Sequence, residues 1–78
     1  MTVRIDGDKV KEIRENLLYS QRELSRLSGL SHETIQRVEA GERLDVRGAT
    51  VRKFASALGV DPHELLLEEE PSPLVGAR

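Results

Sequence analysis

Residues 19–41 read YSQRELSRLSGLSHETIQRVEAG, and they contain the signals for two closely spaced helices. Ser20, followed three residues later by Glu23, is typical of a capping box. In that arrangement the serine hydroxyl accepts a hydrogen bond from a free N–H group of the first helical turn, and the glutamate returns one. Tyr19 and the leucine five residues later bracket this start as a hydrophobic staple. The pattern predicts a helix over 21–28.

A second helix follows after only three residues, Gly29, Leu30 and Ser31. Ser31 is its cap, and the helix is predicted over 32–40. Such a short connection forces a sharp turn, and glycine supplies the backbone freedom that the turn needs. The apolar residues expected to share one core between the two helices are Leu24, Ile35 and Val38. This is the geometry of a helix-turn-helix, in which the second helix lies in the major groove of DNA.

Three further helices flank this pair, and they are predicted over 8–17, 48–58 and 62–67. In the first, Val10, Ile13 and Leu17 recur at helical spacing and predict an apolar face, with Asp6 or Asp8 as the cap. The residues expected on its other face are Lys9, Lys11, Glu12, Arg14 and Glu15. The overall expectation is an all-α fold of five short helices.

The signals for the last two helices are unequal. Asp61 is a cap, Pro62 takes the first helical position and Glu64 completes a capping box. Gly59 marks the end of the helix before it. The loop over 41–47 is polar and offers no clear cap for the helix that begins at residue 48, so this boundary is the least well defined.

Length and composition allow one domain of this kind. The chain has 78 residues, of which 37% are hydrophobic, and it contains no cysteine, which excludes disulfides and thiolate metal sites. No apolar run approaches the roughly 18–20 residues of a membrane span, and the charged first residues are unlike a signal peptide. We therefore expect a cytoplasmic protein with a folded domain over 8–67. Residues 68–78 are acidic and contain prolines, and a flexible tail is expected there.

The formal net charge is −2, but it is unevenly distributed. Residues 9–53 contain ten lysines and arginines against seven acidic residues, whereas residues 54–70 contain five acidic residues and no lysine or arginine. Binding to nucleic acid depends on local phosphate neutralisation, so the basic body permits DNA binding despite the negative total.

The segment from Ser20 to Arg43 resembles the helix-turn-helix of the Cro/phage-repressor type, or XRE-like, family. The positions that carry the resemblance are Gln21, Leu24, Ser25, Gly29, Ser31, Ile35, Val38, Glu39, Ala40 and Gly41. Residues 10–14 resemble the first helix of that family, and residues 50–66 resemble its fourth and fifth. The resemblance thus covers residues 8–67 and implies a compact five-helix, lambda-repressor-like DNA-binding domain.

Three residues depart from the family pattern. Ser25 and Ser28 stand where alanine is common, which should loosen the helix packing slightly. Leu18 stands where glycine is frequent, so the turn after the first helix should differ.

The resemblance also implies which residues touch DNA. The first turns of the recognition helix reach base edges, and the base-reading residues implied here are His32, Glu33, Thr34 and Arg37. Phosphate contacts set the register, and they are expected from Gln21, Ser31, Arg43, Arg22 and Arg47. Gln21 and Ser31 lie at helix N-termini, where backbone N–H groups favour an anion. The resemblance predicts a transcriptional regulator, most simply a repressor, that binds a pseudo-palindromic operator as a homodimer.

Other interpretations stay open at this point. Glu33 and Arg37 could form only a solvated ion pair one helical turn apart. Residues 65–67 are three leucines that could cover the core of one chain or pack against a second copy. A protein-interaction module, such as an antitoxin or a bridging subunit, would use the acidic C-terminal end and the apolar Leu74 and Val75 to bind a protein partner.

No pattern in the sequence favours catalysis, a cofactor or a metal ion. There is no nucleophile–base pair and no glycine-rich phosphate loop. His63 and Glu64 are adjacent, so they do not share a helix face, and no second histidine follows at ligand spacing. We therefore expect a protein that is not an enzyme and that does not bind to membranes.

Overall fold

The computed structural model describes residues 2–67. Its elements are β1 (Thr2–Arg4), α1 (Gly7–Asn16), α2 (Gln21–Ser28), α3 (His32–Glu39), β2 (Asp45–Arg47), α4 (Gly48–Leu58) and a 3-10 helix (Pro62–Leu65). The first four predicted helices are present, with bounds that agree within one residue. Nothing is described for residues 68–78, so the predicted tail and the apolar Leu74 and Val75 lie outside the described part.

The caps that define these helices are the local signals seen in the sequence. Asp6 is the cap of α1, and its carboxylate accepts from the backbone N–H of Lys9 at 3.2 Å. α4 begins at Gly48 directly after β2, and its cap residue, Arg47, makes no side-chain capping bond. The missing cap signal in the sequence therefore reflects a helix whose start is set by the strand before it.

A small antiparallel sheet was not expected. β1 pairs with β2 in a register that places Val3 opposite Val46, and Val46 is buried. Ile5, just after β1, is fully buried in the core and forms a bridge with Leu66. The folded unit therefore also includes residues 2–5, which precede the predicted start at residue 8. The all-α expectation is corrected to a small helical domain with a two-stranded sheet.

The prediction of a fifth α-helix over 62–67 was also wrong. Residues 62–65 form a 3-10 helix, in which the Asp61 carboxylate accepts from the N–H of His63 at 2.8 Å and Glu64 N–H donates to the Asp61 carbonyl. This hydrogen bond from His63 lowers the pKa of Asp61. Leu66 is extended instead of helical.

The chain stops being helical at this point because it joins β1. The N–H of Leu67 donates to the Arg4 carbonyl at 3.0 Å, and the N–H of Asp6 donates to the Leu65 carbonyl at 2.7 Å. Leu65 is fully buried and Leu66 packs against the core. Two of the three C-terminal leucines therefore cover the core of the same chain.

The core lies between the helices and this sheet. The buried hydrophobic residues are Ile5, Val10, Leu24, Ile35, Val38, Val46, Val51, Phe54, Ala55, Leu58 and Leu65. The predicted shared core of Leu24, Ile35 and Val38 is thus confirmed. Leu17 was expected to face the core, but its residue surface is 43% exposed because the helix ends at Asn16. Within residues 2–67, no helix is long and apolar enough to cross a membrane.

Candidate nucleic-acid interface

The turn between α2 and α3 is held by short-range hydrogen bonds. The Ser20 hydroxyl accepts from the N–H of Glu23 at 3.0 Å, and the Glu23 carboxylate accepts from the N–H of Ser20 at 2.8 Å, so the predicted capping box is formed. Gly29 has φ 77°, the left-handed conformation expected of a glycine that ends a helix.

The two serines that replace the common alanines are part of this turn. The Ser25 hydroxyl donates to the Leu30 carbonyl, and the Ser28 hydroxyl accepts from the N–H of Leu30 at 3.2 Å. Both serines bind the turn residue between the helices. They therefore satisfy polar groups of the connection, and α2 and α3 are held as one unit.

The first turn of α3 is capped as the sequence predicts. The Ser31 hydroxyl accepts from the N–H of Thr34 at 3.1 Å and lies 2.8 Å from the Thr34 hydroxyl. Ser31 is exposed, whereas Thr34 is half-buried. The serine hydroxyl is thus engaged in the cap, and the threonine is held against it.

The outer face of α3 carries the ion pair that its spacing predicts. A guanidinium nitrogen of Arg37 lies 2.7 Å from a carboxylate oxygen of Glu33, with the two side chains 54% and 68% exposed. On the opposite face of the helix, Ile35 and Val38 are fully buried. The core therefore fixes which side of α3 faces solvent, and that side presents one acidic and one basic group.

A buried polar network ties the end of α3 to α1, and sequence reasoning missed it. Arg14 donates to the two carboxylate oxygens of Glu39 at 2.7 and 2.9 Å and to the Tyr19 carbonyl at 2.7 Å. Arg14 and Glu39 are each only 8% exposed. The hydrogen bond to Glu39 raises the pKa of Arg14, which keeps the guanidinium charged at any ordinary pH.

The expectation that Arg14 lies on the polar face of α1 was wrong. It lies four residues after Val10, and residues four apart share a helix face. That spacing was the available signal, but it was outweighed by the assumption that an arginine faces solvent. The network also includes Gln21, whose side-chain amide donates to Glu39 at 3.0 Å. Gln21, a predicted phosphate contact, is therefore positioned by α3.

The α1–α3 contact depends on Gly7 as well. A Cβ atom at Gly7 would lie 1.9 Å from the carbonyl oxygen of Val38, which is backbone and cannot swing aside. The first turn of α1 therefore touches the last turn of α3 directly. Together, Gly7 and Arg14 set the position of the recognition helix relative to the rest of the domain.

Three basic side chains meet where α2 faces the start of α3. Arg22, Arg26 and His32 line a shallow cleft of about 330 Å³ together with Ser25. Arg22 and His32 were expected at the DNA contact surface, whereas Arg26 was not assigned a role. The helical spacing of Arg22 and Arg26, one turn apart, was the signal that could have found it.

The two remaining predicted contacts lie after α3. Arg43 is exposed in the connection that follows Gly41, and its N–H donates to the Arg37 carbonyl at 3.2 Å. Arg47 is exposed at the end of β2. The structure thus places these arginines in the segment beyond the recognition helix, at a distance along the chain from the α2–α3 cleft.

The fold and these features agree with a known family. The family model described as Helix-turn-helix (HTH_3) matches residues 10–65, which is most of the chain. The chain belongs to this helix-turn-helix family. The matched residues include α2, the turn and α3, the elements that carry the candidate interface.

Individual relatives give the same result. The chain is 48% identical over 40 residues to a Pyrococcus furiosus protein that is named as an HTH-type transcriptional regulatory protein. That match covers 51% of this chain but only 13% of the relative, so the shared part is a small portion of a much longer protein.

Two solved structures share the fold. The restriction-modification controller protein C.AhdI from Aeromonas hydrophila is 37% identical, with a TM-score of 0.72 over 77% of this chain and 89% of that one. The SinR protein/SinI protein complex contains a chain that is 25% identical, with a TM-score of 0.77 over 82% of this chain and 62% of that one. The present chain is therefore a helix-turn-helix domain of the kind found in transcriptional regulators.

Proposed function

We propose that this helix-turn-helix chain is a cytoplasmic, sequence-specific DNA-binding transcriptional regulator that places α3 in the major groove. One observation carries the proposal. Ile35 and Val38 are fully buried, so they fix the orientation of α3, and Glu33 and Arg37 project from its free face. An α-helix presented in this way fits the major groove, where base edges can be distinguished.

The chemistry of the free face suits base recognition. Arg37 has donors that can form two bonds to guanine O6 and N7, and Glu33 can accept from a cytosine amine. His32 can donate to a purine N7, and the methyl group of Thr34 can contact a thymine methyl. The ion pair between Glu33 and Arg37 leaves other guanidinium N–H groups available and holds the arginine extended.

Phosphate contacts would fix the register of α3 in the groove. The residues proposed for them are Gln21, Ser31, Arg43, Arg22 and Arg47. Gln21 is oriented by its bond to Glu39 and has a second amide N–H to donate. Ser31 lies at the start of α3, where free backbone N–H groups favour an anion.

We further propose that the protein acts as a repressor and binds a pseudo-palindromic operator as a homodimer. A single recognition helix reads only a few base pairs, so a dimer that spans two half-sites gains specificity. The half-sites are then expected about 34–36 Å apart along the DNA, one helical turn. Catalysis and cofactor binding have no part in this mechanism.

The first experiment is selection of bound duplexes from a random DNA pool, followed by sequencing. We expect an enriched site with two-fold symmetry and half-sites about 10 base pairs apart, centre to centre. Enrichment of an asymmetric site would contradict the homodimer, and absence of any enriched sequence would contradict sequence-specific binding.

The base-reading role is tested by Arg37→Ala. Loss of a bidentate contact should weaken binding to the selected operator by about 1–3 kcal/mol and leave binding to unrelated duplex nearly unchanged. Arg52→Ala on α4 is a matched control, since Arg52 lies over Gly48 and next to Pro62. Equal affinity of Arg37→Ala and wild type for the operator would show that Arg37 reads no base.

A protein-interaction module is the second candidate. The structural likeness to a chain of the SinR–SinI protein complex favours it, because that relative was solved bound to another protein. The two functions are compatible in one molecule. A stoichiometric complex with an identified protein from the same operon, formed while the chain retains no DNA, would favour this candidate over the regulator.

A further inference from the structure

The cleft between α2 and the start of α3 has the properties of an anion site. Arg22 and Arg26 lie one turn apart on α2, and like charges at this spacing destabilise a helix. Among residues 2–67 neither guanidinium forms an ion pair with a carboxylate. Two uncompensated charges on one exposed face are stabilised by an anion that binds between them.

The third member of the cleft comes from the recognition helix. His32 is half-buried at the first residue of α3 and lines the cleft together with the two arginines. Its imidazole can donate a hydrogen bond to an oxyanion. Because the donors come from both helices of the motif, an anion held here would contact α2 and α3 at once.

We propose that Arg22, Arg26 and His32 form a single phosphodiester-binding cleft, and that Arg26 is a DNA-backbone contact. The proposal rests on the proposed DNA-binding function and deepens it. It adds a phosphate-donor role for His32, because this residue lines the cleft together with the two arginines. A backbone phosphate gripped from both helices fixes the depth and angle at which α3 enters the groove.

The size of the effect follows from counterion release. Each phosphate contact contributes about 0.9 to the slope of log K against log salt concentration. Arg26→Gln should therefore reduce that slope by about 1 and weaken binding about fivefold at 0.15 M salt. The loss should be the same for the operator and for unrelated duplex, because a phosphate contact carries no sequence information. Arg22→Gln combined with Arg26→Gln should reduce the slope by about 2.

The experiment measures the salt dependence of binding, by fluorescence anisotropy, for wild type, Arg26→Gln and the double variant. Arg52→Gln is the control, because it removes the same charge from an exposed residue of α4 that lies beside Gly48 and Pro62 and does not line the cleft. All variants change exposed side chains, and urea unfolding confirms that each is folded. A slope for Arg26→Gln equal to that of Arg52→Gln would overturn the proposal, and so would a loss confined to the operator.

A second arm separates this proposal from the proposed function. If wild type binds no duplex DNA, the regulator function fails, and inorganic phosphate is titrated into the free protein with NMR detection of the His32 ring. If phosphate shifts the NMR signals of the His32 ring, and if Arg26→Gln abolishes this shift, the cleft is an anion site even without DNA binding. If phosphate causes no shift, the proposal of an anion-binding cleft fails together with the proposed DNA-binding function.

Discussion

Glu39→Gln should destabilise the fold far more than the same change at Glu33. Glu39 accepts two bonds from Arg14 and one from Gln21 in a buried site. After the substitution the buried guanidinium loses its paired charge, and it keeps the Tyr19 carbonyl at 2.7 Å, the exposed Glu15 carboxylate at 3.9 Å and the one amide oxygen of the new glutamine. Breaking one side of a buried ion pair costs about 3–5 kcal/mol.

We expect about 3 kcal/mol for this variant, because glutamine keeps one acceptor oxygen for Arg14. A domain of this size has a free energy of unfolding of about 4–12 kcal/mol, so the loss is a large share of the total. With a urea m-value of about 1–1.5 kcal/mol per molar, the midpoint should fall by about 2–3 M. Circular dichroism during urea titration measures that midpoint directly.

Glu33→Gln is the matched control on the same helix. It removes a carboxylate from an exposed ion pair, so the expected loss is below about 0.5 kcal/mol. Equal midpoints for the two variants would refute the assigned role of Glu39. The double variant Arg14→Met with Glu39→Leu adds a further test, since no charge is then left buried and the loss should be smaller than for Glu39→Gln alone. If the double variant loses as much stability as Arg14→Met and Glu39→Leu lose in sum, the effect is due to packing and not to an unpaired buried charge.

Two further predictions concern the backbone, at Gly7 and at Leu18, and Gly48→Ala is the comparison for the first. Gly7→Ala should prevent the α1–α3 contact and cost about 3 kcal/mol or more, because its Cβ would lie 1.9 Å from the Val38 carbonyl oxygen. Gly48→Ala, where the added atom lies 3.7 Å from the nearest side-chain atom, should stay within about 1 kcal/mol of wild type, and similar melting temperatures for both variants would contradict the assigned contact. Leu18→Gly should instead raise stability by about 0.5–1 kcal/mol, since Leu18 has φ 62° and an exposed side chain that loses nothing on removal. A lower melting temperature for Leu18→Gly would show that the leucine makes a stabilising contact.

The helical part of the domain follows from local patterns in the sequence. The capping residues Ser20, Ser31 and Asp6 each accept from an N–H group three residues away, so their signals can be seen in a short stretch of sequence. The sharp turn at Gly29 and the buried faces of α2 and α3 follow from the same local patterns. For that reason the helix-turn-helix and the exposed Glu33–Arg37 pair were predictable from the residues.

The features that join distant segments of the chain became visible only in the folded structure. Arg14 and Glu39 are 25 residues apart, and Val3 pairs with Val46. The 3-10 helix ends at Leu65, and the chain then runs beside β1. Strands of three residues carry almost no pattern of their own, and a buried arginine is recognisable only once its partner is in place. The Arg14–Glu39 contact fixes α3 against α1, and its hydrogen bonding and burial depend on two segments that only the folded chain brings together.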